Sequence, residues 1–190
     1  MDRKQFLKVL GQGCACCGAM LAFGDVAAAA ETPAPSECDN KFQFAQTWTM
    51  RMLNQLDSQL DAPTRTRIMN AMGRECFNSG GAKHTPKDVD ELIAGFKKHQ
   101  GEDAIRREGN VVYLKYTRSG AKLVSDGYCL CPLAEKTPPG WSATYCECSV
   151  GYVKSMFEQA SGKPAKVDLL DSLKRGGRSC SFKVELQSKA

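Results

Sequence analysis

Two cysteine pairs carry the chemical signal of this sequence, Cys129-Leu130-Cys131 and Cys146-Glu147-Cys148, with Cys180 and Cys76 as further thiols. A disulfide between the two members of one pair is strained, because a single intervening residue cannot give the sulfurs their preferred geometry. On an extended strand or loop, both side chains of such a pair point the same way and can share one partner. Two pairs could therefore meet at one tetrahedral ion, with Cys180 in the final strand close by. Metal ligands are accordingly expected at Cys129, Cys131, Cys146, Cys148 and Cys180, holding zinc or iron, the latter also as an iron–sulfur cluster. Disulfides between the pairs would explain the same spacing, since exported domains of this size are commonly stapled that way. A reactive thiol is the third option, with Cys131 as nucleophile and Glu135 or Glu147 carrying the proton. The spacing matches no standard zinc or iron–sulfur signature, so all three stay open.

Other chemistry-bearing residues have plainer readings. Cys76 falls on an apolar helical stripe and reads as a small buried hydrophobe. His84 precedes a helix cap and His99 lies near a helix end, where a cation suits the dipole. No histidine is placed to complete a Ser-His-Asp or Cys-His arrangement. Lys174, Arg175 and Arg178 flank a glycine turn that could hold an anion, though a solvated turn is the simpler view. Trp48 and Trp141 could line an apolar pocket or fill the core.

The chain has 190 residues, 42% of them hydrophobic and 25% charged, which suits a single globular domain. Its net charge of +5 is scattered, with no basic run interleaved with aromatics, so a nucleic-acid partner is not indicated. Cys14, Cys16 and Cys17 of the ten cysteines lie in an N-terminal stretch with a charged start, a weakly apolar middle and an alanine-rich end. That layout is an export signal over residues 1–30, with cleavage expected near Ala28 to Ala30. Glycines interrupt the apolar part, which is too short for a stable transmembrane helix. Arg3, Lys4, Phe6, Leu7 and Lys8 resemble a twin-arginine signal, with Lys4 in the second arginine position. The resemblance implies export to the periplasm or cell exterior by the twin-arginine machinery, and the general secretory machinery remains the other route. The cysteines that survive cleavage are odd in number, so a purely disulfide framework leaves one thiol over.

Residues 31–40 read as a flexible leader, and 41–190 as one cysteine-rich domain. Phe44, Trp48 and Met52 recur at four-residue spacing, continued by Leu53, Leu56 and Leu60, which predicts a helix burying that stripe. A second helix is expected from Pro63, with Ile68, Met72 and Cys76 inward and Gly80-Gly81 as its stop. Thr85 is expected to cap a third, burying Val89, Leu92, Ile93 and Phe96. The period then changes to two. "AIRRE" and "VVYLKYT" around Gly109-Asn110 predict a hairpin. A helix with Val150, Val153, Met156 and Phe157 inward should end at Gly162, followed by a second hairpin of "AKVDLLDSL" and "CSFKVEL". N-terminal helices followed by hairpin, helix and hairpin give an α+β fold with an antiparallel sheet.

The stretch "YCECSVGYVKSMFEQASGKPAKVDLLDSLKRGGRSCSFKV" resembles the end of 4-vinyl-reductase-type domains, where a helix with a Gly-Tyr step precedes a hairpin ending in a glycine turn and a Cys-x-Phe strand. The resemblance implies a small-molecule ligand, and zinc held by cysteines with one ligand at Cys180. Where that pattern has a glutamate and another cysteine, this chain has Leu169 and Ser172. The run from "CPLAE" to "GGRSCSF" is similar to aminothiazoline carboxylate hydrolase-like proteins, which implies a hydrolase of a small cyclic amide or amidine with Cys131 as nucleophile or ligand. Three functions follow as expectations: a metal- or small-molecule-binding domain, that hydrolase, or a disulfide-stapled module that binds another protein.

Overall fold

The computed structural model describes residues 37–119, 121–134 and 141–187. The chain divides into Met1–Ala34 and Pro35–Ala190, and all described residues belong to the second unit. The expected export signal and cleavage point, with Glu135, lie outside the described residues. No helix among the described residues is long and apolar enough to cross a membrane.

The α+β expectation holds. Four α-helices, α1 (Glu37–Gln59), α2 (Ala62–Cys76), α3 (Val89–Gln100) and α4 (Glu147–Ser161), accompany a sheet built from β1 (Ile105–Glu108), β2 (Val111–Tyr116), β5 (Ala165–Asp171) and β6 (Cys180–Leu186). The strand order is β1-β2-β6-β5 and every pairing is antiparallel. Two short strands, β3 (Arg118–Ser119) and β4 (Lys122–Leu123), pair separately. Both predicted hairpins form. Gly109 takes φ +60° between β1 and β2, a conformation that a side chain would disfavour.

The strand alternation fixes which face is covered. Val112 and Leu114 of β2, with Cys180, Phe182 and Val184 of β6, point to one side and are buried. Onto that side α4 lays Val150, Val153, Met156, Phe157 and Ala160, and Leu92 of α3 joins the same core. The inward face of α4 is therefore the one its spacing predicts. Gly162 ends the helix at φ 67°, its N–H donating to the Glu158 carbonyl.

The first two helices depart from the predicted faces, α1 only in part, since Leu53 and Leu56 of its predicted stripe do pack inward. Helix α1 begins at Glu37, within the segment read as leader, and anchors itself through Gln46, Thr49 and Leu53. Phe44 and Trp48 are 71% and 56% exposed, and Met52 is exposed beside them. Among the described residues Trp48 is therefore at the surface and not in the core. The Gln46 side-chain amide instead donates to the Leu133 carbonyl at 2.8 Å, fixing α1 to the loop before the second half of the domain. On α2 the buried residues are Met69 and Gly73, while Ile68, Met72 and Cys76 are exposed. The α-helix ends at Cys76, before the double glycine, and the chain stays helical through it, as a π-helical turn over Phe77–Gly81 and a 3-10 turn over Ala82–His84. The cap of α3 is Asp88, whose carboxylate accepts from the N–H groups of Asp90 and Glu91. Thr85, the expected cap, donates its hydroxyl to the Gly81 carbonyl.

Candidate functional site

The cysteine region forms where α2 crosses α4. A Cβ on Gly73 would sit 1.9 Å from the Cys148 carbonyl oxygen, and one on Gly151 would sit 2.0 Å from the Asn70 carbonyl oxygen. Only two glycines allow the helix backbones to touch in this way. Cys76 lies one turn after Gly73 and Cys148 one turn before Gly151, so the crossing brings these two thiols into one neighbourhood.

A second hydrophobic cluster, separate from the sheet core, packs beside this crossing. Its buried members are Leu53, Met69, Ala134 and Trp141, and Cys129, Cys131, Cys148 and Tyr145 pack against them. The Trp141 and Tyr145 rings meet edge to face with centroids 4.8 Å apart. Polar ties hold the surrounding frame. Asp57 of α1 forms an ion pair with Arg65 of α2 at 3.3 Å and accepts the Thr144 hydroxyl at 2.7 Å. Arg65 also donates to the carbonyls of Asp57 and Leu60, which closes the C-terminal end of α1.

The two members of each cysteine pair do not act alike. Cys146 ends a 3-10 turn over Ala143–Cys146, and Cys148 falls in the first turn of α4. Two residues along a helix turn the side chain through roughly 200°, so an extended-chain geometry does not apply to them. Cys146 is buried and Cys148 is half-buried. Cys148 shares its surroundings with Cys76 and Cys131, so that charge on those thiols opposes charge on it. Cys180 of β6 feels Cys129 and Cys146 in the same way. Cys129 and Cys148 each lie within electrostatic reach of thiols on both sides.

Electrostatic influence links Cys129, Cys131, Cys146, Cys148 and Cys180 to one another and to Cys76, which is exposed and not a buried hydrophobe. The signal for Cys76 was available in the sequence. Met69, Gly73 and Cys76 stand at four- and three-residue steps, the same spacing rule that defines any helix face. Cys38 is exposed in the first turn of α1. All seven cysteines among the described residues are free thiols. No group of three or more His, Cys, Asp or Glu side chains among the described residues is arranged to hold a metal ion.

Burial favours the protonated thiol at Cys76, Cys129, Cys148 and Cys180. It pushes Cys148 up to about 12 and Cys180 up to about 11, with neighbouring thiols adding to both. Cys129 is raised by burial as well, against a lowering pull from Lys174. Lys174 also lies over the Trp141 ring at 5.9 Å. Cys131 shares a hydrogen bond with the Tyr145 hydroxyl at 2.8 Å. Burial and the adjacent thiols hold the Tyr145 proton far above the usual phenol range, so that oxygen is no base. Glu147, the other candidate proton carrier, is ion-paired with Arg175. Two buried polar atoms beside the cluster lack a hydrogen-bond partner, Trp141 Nε1 and Ser172 Oγ, and the residue Ser172 is 0% exposed.

Comparison with known proteins places the chain but does not describe its chemistry. A family model described as "Family of unknown function (DUF6144)" matches residues 13–190. The chain belongs to that family. The DUF6144 span begins at residue 13, upstream of the expected cleavage point, and takes in every cysteine of the sequence. No curated protein matches the chain. Among solved structures, it is similar to a vinyl-4-reductase family protein from Methanocaldococcus jannaschii, at 13% identity over 77% of this chain and 81% of that one, with a TM-score of 0.34. That likeness is too slight to bear on ligand or activity.

Proposed function

We propose that this chain is an exported domain whose cysteine cluster holds soft metal, zinc or iron, on the thiolates of Cys129, Cys131, Cys146, Cys148 and Cys180, with Cys76 as a further donor. The observation that carries this reading is that Cys129, Cys131 and Cys148 pack on one hydrophobic cluster and that thiols from four separated parts of the chain, the end of α2, the 129–131 loop, the start of α4 and β6, lie within electrostatic influence of one another. An all-sulfur donor set selects soft ions. Metal supplies what these thiols otherwise lack, a positive charge that makes deprotonation favourable at neutral pH. Loading requires the sulfurs to close on a common centre, and the 129–131 loop lies outside every helix and strand ladder. Trp141 Nε1–H and Ser172 Oγ–H are donors of the kind that steady a thiolate-rich site.

The export signal supports the same reading. A twin-arginine substrate folds in a reducing compartment, where thiols meet metal before oxidant. Disulfides are the second reading, favoured by the even count of the cluster once Cys38 is set aside. The hydrolase reading has less support, because Cys131 faces a phenol that cannot accept its proton and Glu147 is engaged by Arg175.

Serine at Cys148 or Cys180 is expected to weaken metal retention against a competing chelator by about tenfold or more, while Cys38→Ser leaves it unchanged. Equal retention in all three variants would overturn the assignment of the ligands.

A further inference from the structure

An open groove of about 910 Å³ runs along the α2–α4 crossing, lined by Thr66, Arg67, Asn70 and Arg74 of α2 and by Gly151 and Lys154 of α4. Positions 67, 70 and 74 recur at three- and four-residue steps, so the two arginines and the asparagine share one helix face. Lys154 faces them from the other helix. Glu75 is the one acidic side chain among the lining residues, which leaves the groove with an excess of two positive charges.

These cations are not used up by the fold. Neither arginine has an ion-pair partner among the described residues, and the only partner of Lys154 among them is Glu158, at a loose 3.9 Å. Asn70 adds a directional donor. Its Oδ1 is buried without a partner, whereas its Nδ2 is neither hydrogen-bonded nor among the buried unpartnered atoms, so the amide nitrogen is the solvent-facing end. The lack of a side chain at Gly151 keeps the floor low, because the helices already touch there.

We infer that this groove binds a phosphate-bearing small molecule, with Arg67 and Arg74 on the phosphate oxygens, Lys154 as a third positive charge and the Asn70 amide nitrogen as a hydrogen-bond donor. The chemistry follows from the donor set. Guanidinium forks match phosphate oxygens in pairs, and a concave wall concentrates the field of several like charges. The volume suits a sugar phosphate or nucleotide. This inference does not depend on metal in the cysteine cluster.

The test uses the full chain and titrates glycerol 3-phosphate by calorimetry at low ionic strength, with glycerol as the uncharged control. Saturable binding with a Kd of about 1 mM or tighter is expected, weakening as salt is raised, and glycerol should give none. The Arg67→Ala, Arg74→Ala double variant should bind at least tenfold more weakly with an unchanged melting temperature, since both side chains are exposed. Arg106→Ala, on β1, should bind as the parent does. The inference is overturned by the absence of saturable binding, by equal binding of glycerol, or by a double variant that binds like the parent.

Discussion

Replacing Gly151 with alanine is expected to lower the melting temperature by about 6–12 °C, while the same substitution at Gly95 should raise it slightly. Both glycines lie inside helices, where alanine is intrinsically better by about 1 kcal/mol. The difference lies in what surrounds them. A Cβ at Gly151 would meet the Asn70 carbonyl oxygen at 2.0 Å and the Asn70 Cα at 2.7 Å, whereas one at Gly95 meets nothing within 4 Å. Backbone atoms cannot swing aside as a side-chain tip does, so α2 and α4 must part along their length. Overpacking of this kind costs about 1–3 kcal/mol, and more where backbone has to move. Alanine at Gly73, with the Cys148 carbonyl at 1.9 Å, should behave like Gly151→Ala. Thermal melts of Gly151→Ala and Gly95→Ala check the sign of each, and stabilisation at Gly151 would refute the close crossing on which the Cys76–Cys148 approach depends.

The second large effect is a dependence of stability on pH that differs for the three chemical states of the cluster. In reduced, metal-free protein, burial raises Cys148 from 9.0 to about 12 and Cys180 from 9.0 to about 11. Folding therefore favours the protonated thiols. Their contribution is fully present below the unfolded value near 9 and is lost as pH climbs towards 11 and 12. Between about pH 8 and pH 10 the melting temperature of that form should fall by roughly 5 °C or more, and Cys148→Ser should remove part of the fall. Metal-bound thiolates reverse the sign, because protons then compete with the ion and stability declines as the solution is acidified. A disulfide has no proton to lose, so the oxidised form should lack both trends. Melts across pH, with and without reductant and chelator, separate the three.

Most of the second half of the fold was legible from the residues, because a period of two and glycine-marked turns leave little choice of register. β2 and β6 alternate buried and less buried residues as their spacing requires, and α4 buries the face its apolar positions mark. The first half was legible as helices but only partly as faces. On α1 the later part of the predicted stripe, Leu53 and Leu56, does pack inward, but Phe44, Trp48 and Met52 are exposed and Gln46 and Thr49 are buried beside Leu53 instead. Hydrophobic periodicity cannot say which body a helix packs against, and here a hydrogen bond from Gln46 to a distant carbonyl decides it. On α2 the decisive residue is Gly73, which no hydrophobic pattern weights, because its importance lies in the missing side chain.

The cysteine cluster was legible as a set and not as a geometry. Cys-x-Cys implies a shared direction only on extended chain, and the onset of α4 between Cys146 and Cys148 removes that condition. Cys76 joins through α2, which lies far from the paired cysteines in sequence but crosses α4 at Cys148. Ser172, where a related pattern carries cysteine, proves to be fully buried with an unpartnered hydroxyl.

Elemental analysis combined with a thiol count, on protein with the proposed signal over residues 1–30 removed and purified without added metal or chelator, tests the central claim most directly. Stoichiometric zinc or iron is expected, with the cluster thiols protected in the folded protein and all of them titrating after denaturation, while Cys38 reacts throughout. Protein free of metal, with a single reactive thiol and the other six cysteines joined in disulfides, would contradict the metal site and make the cluster a covalent staple.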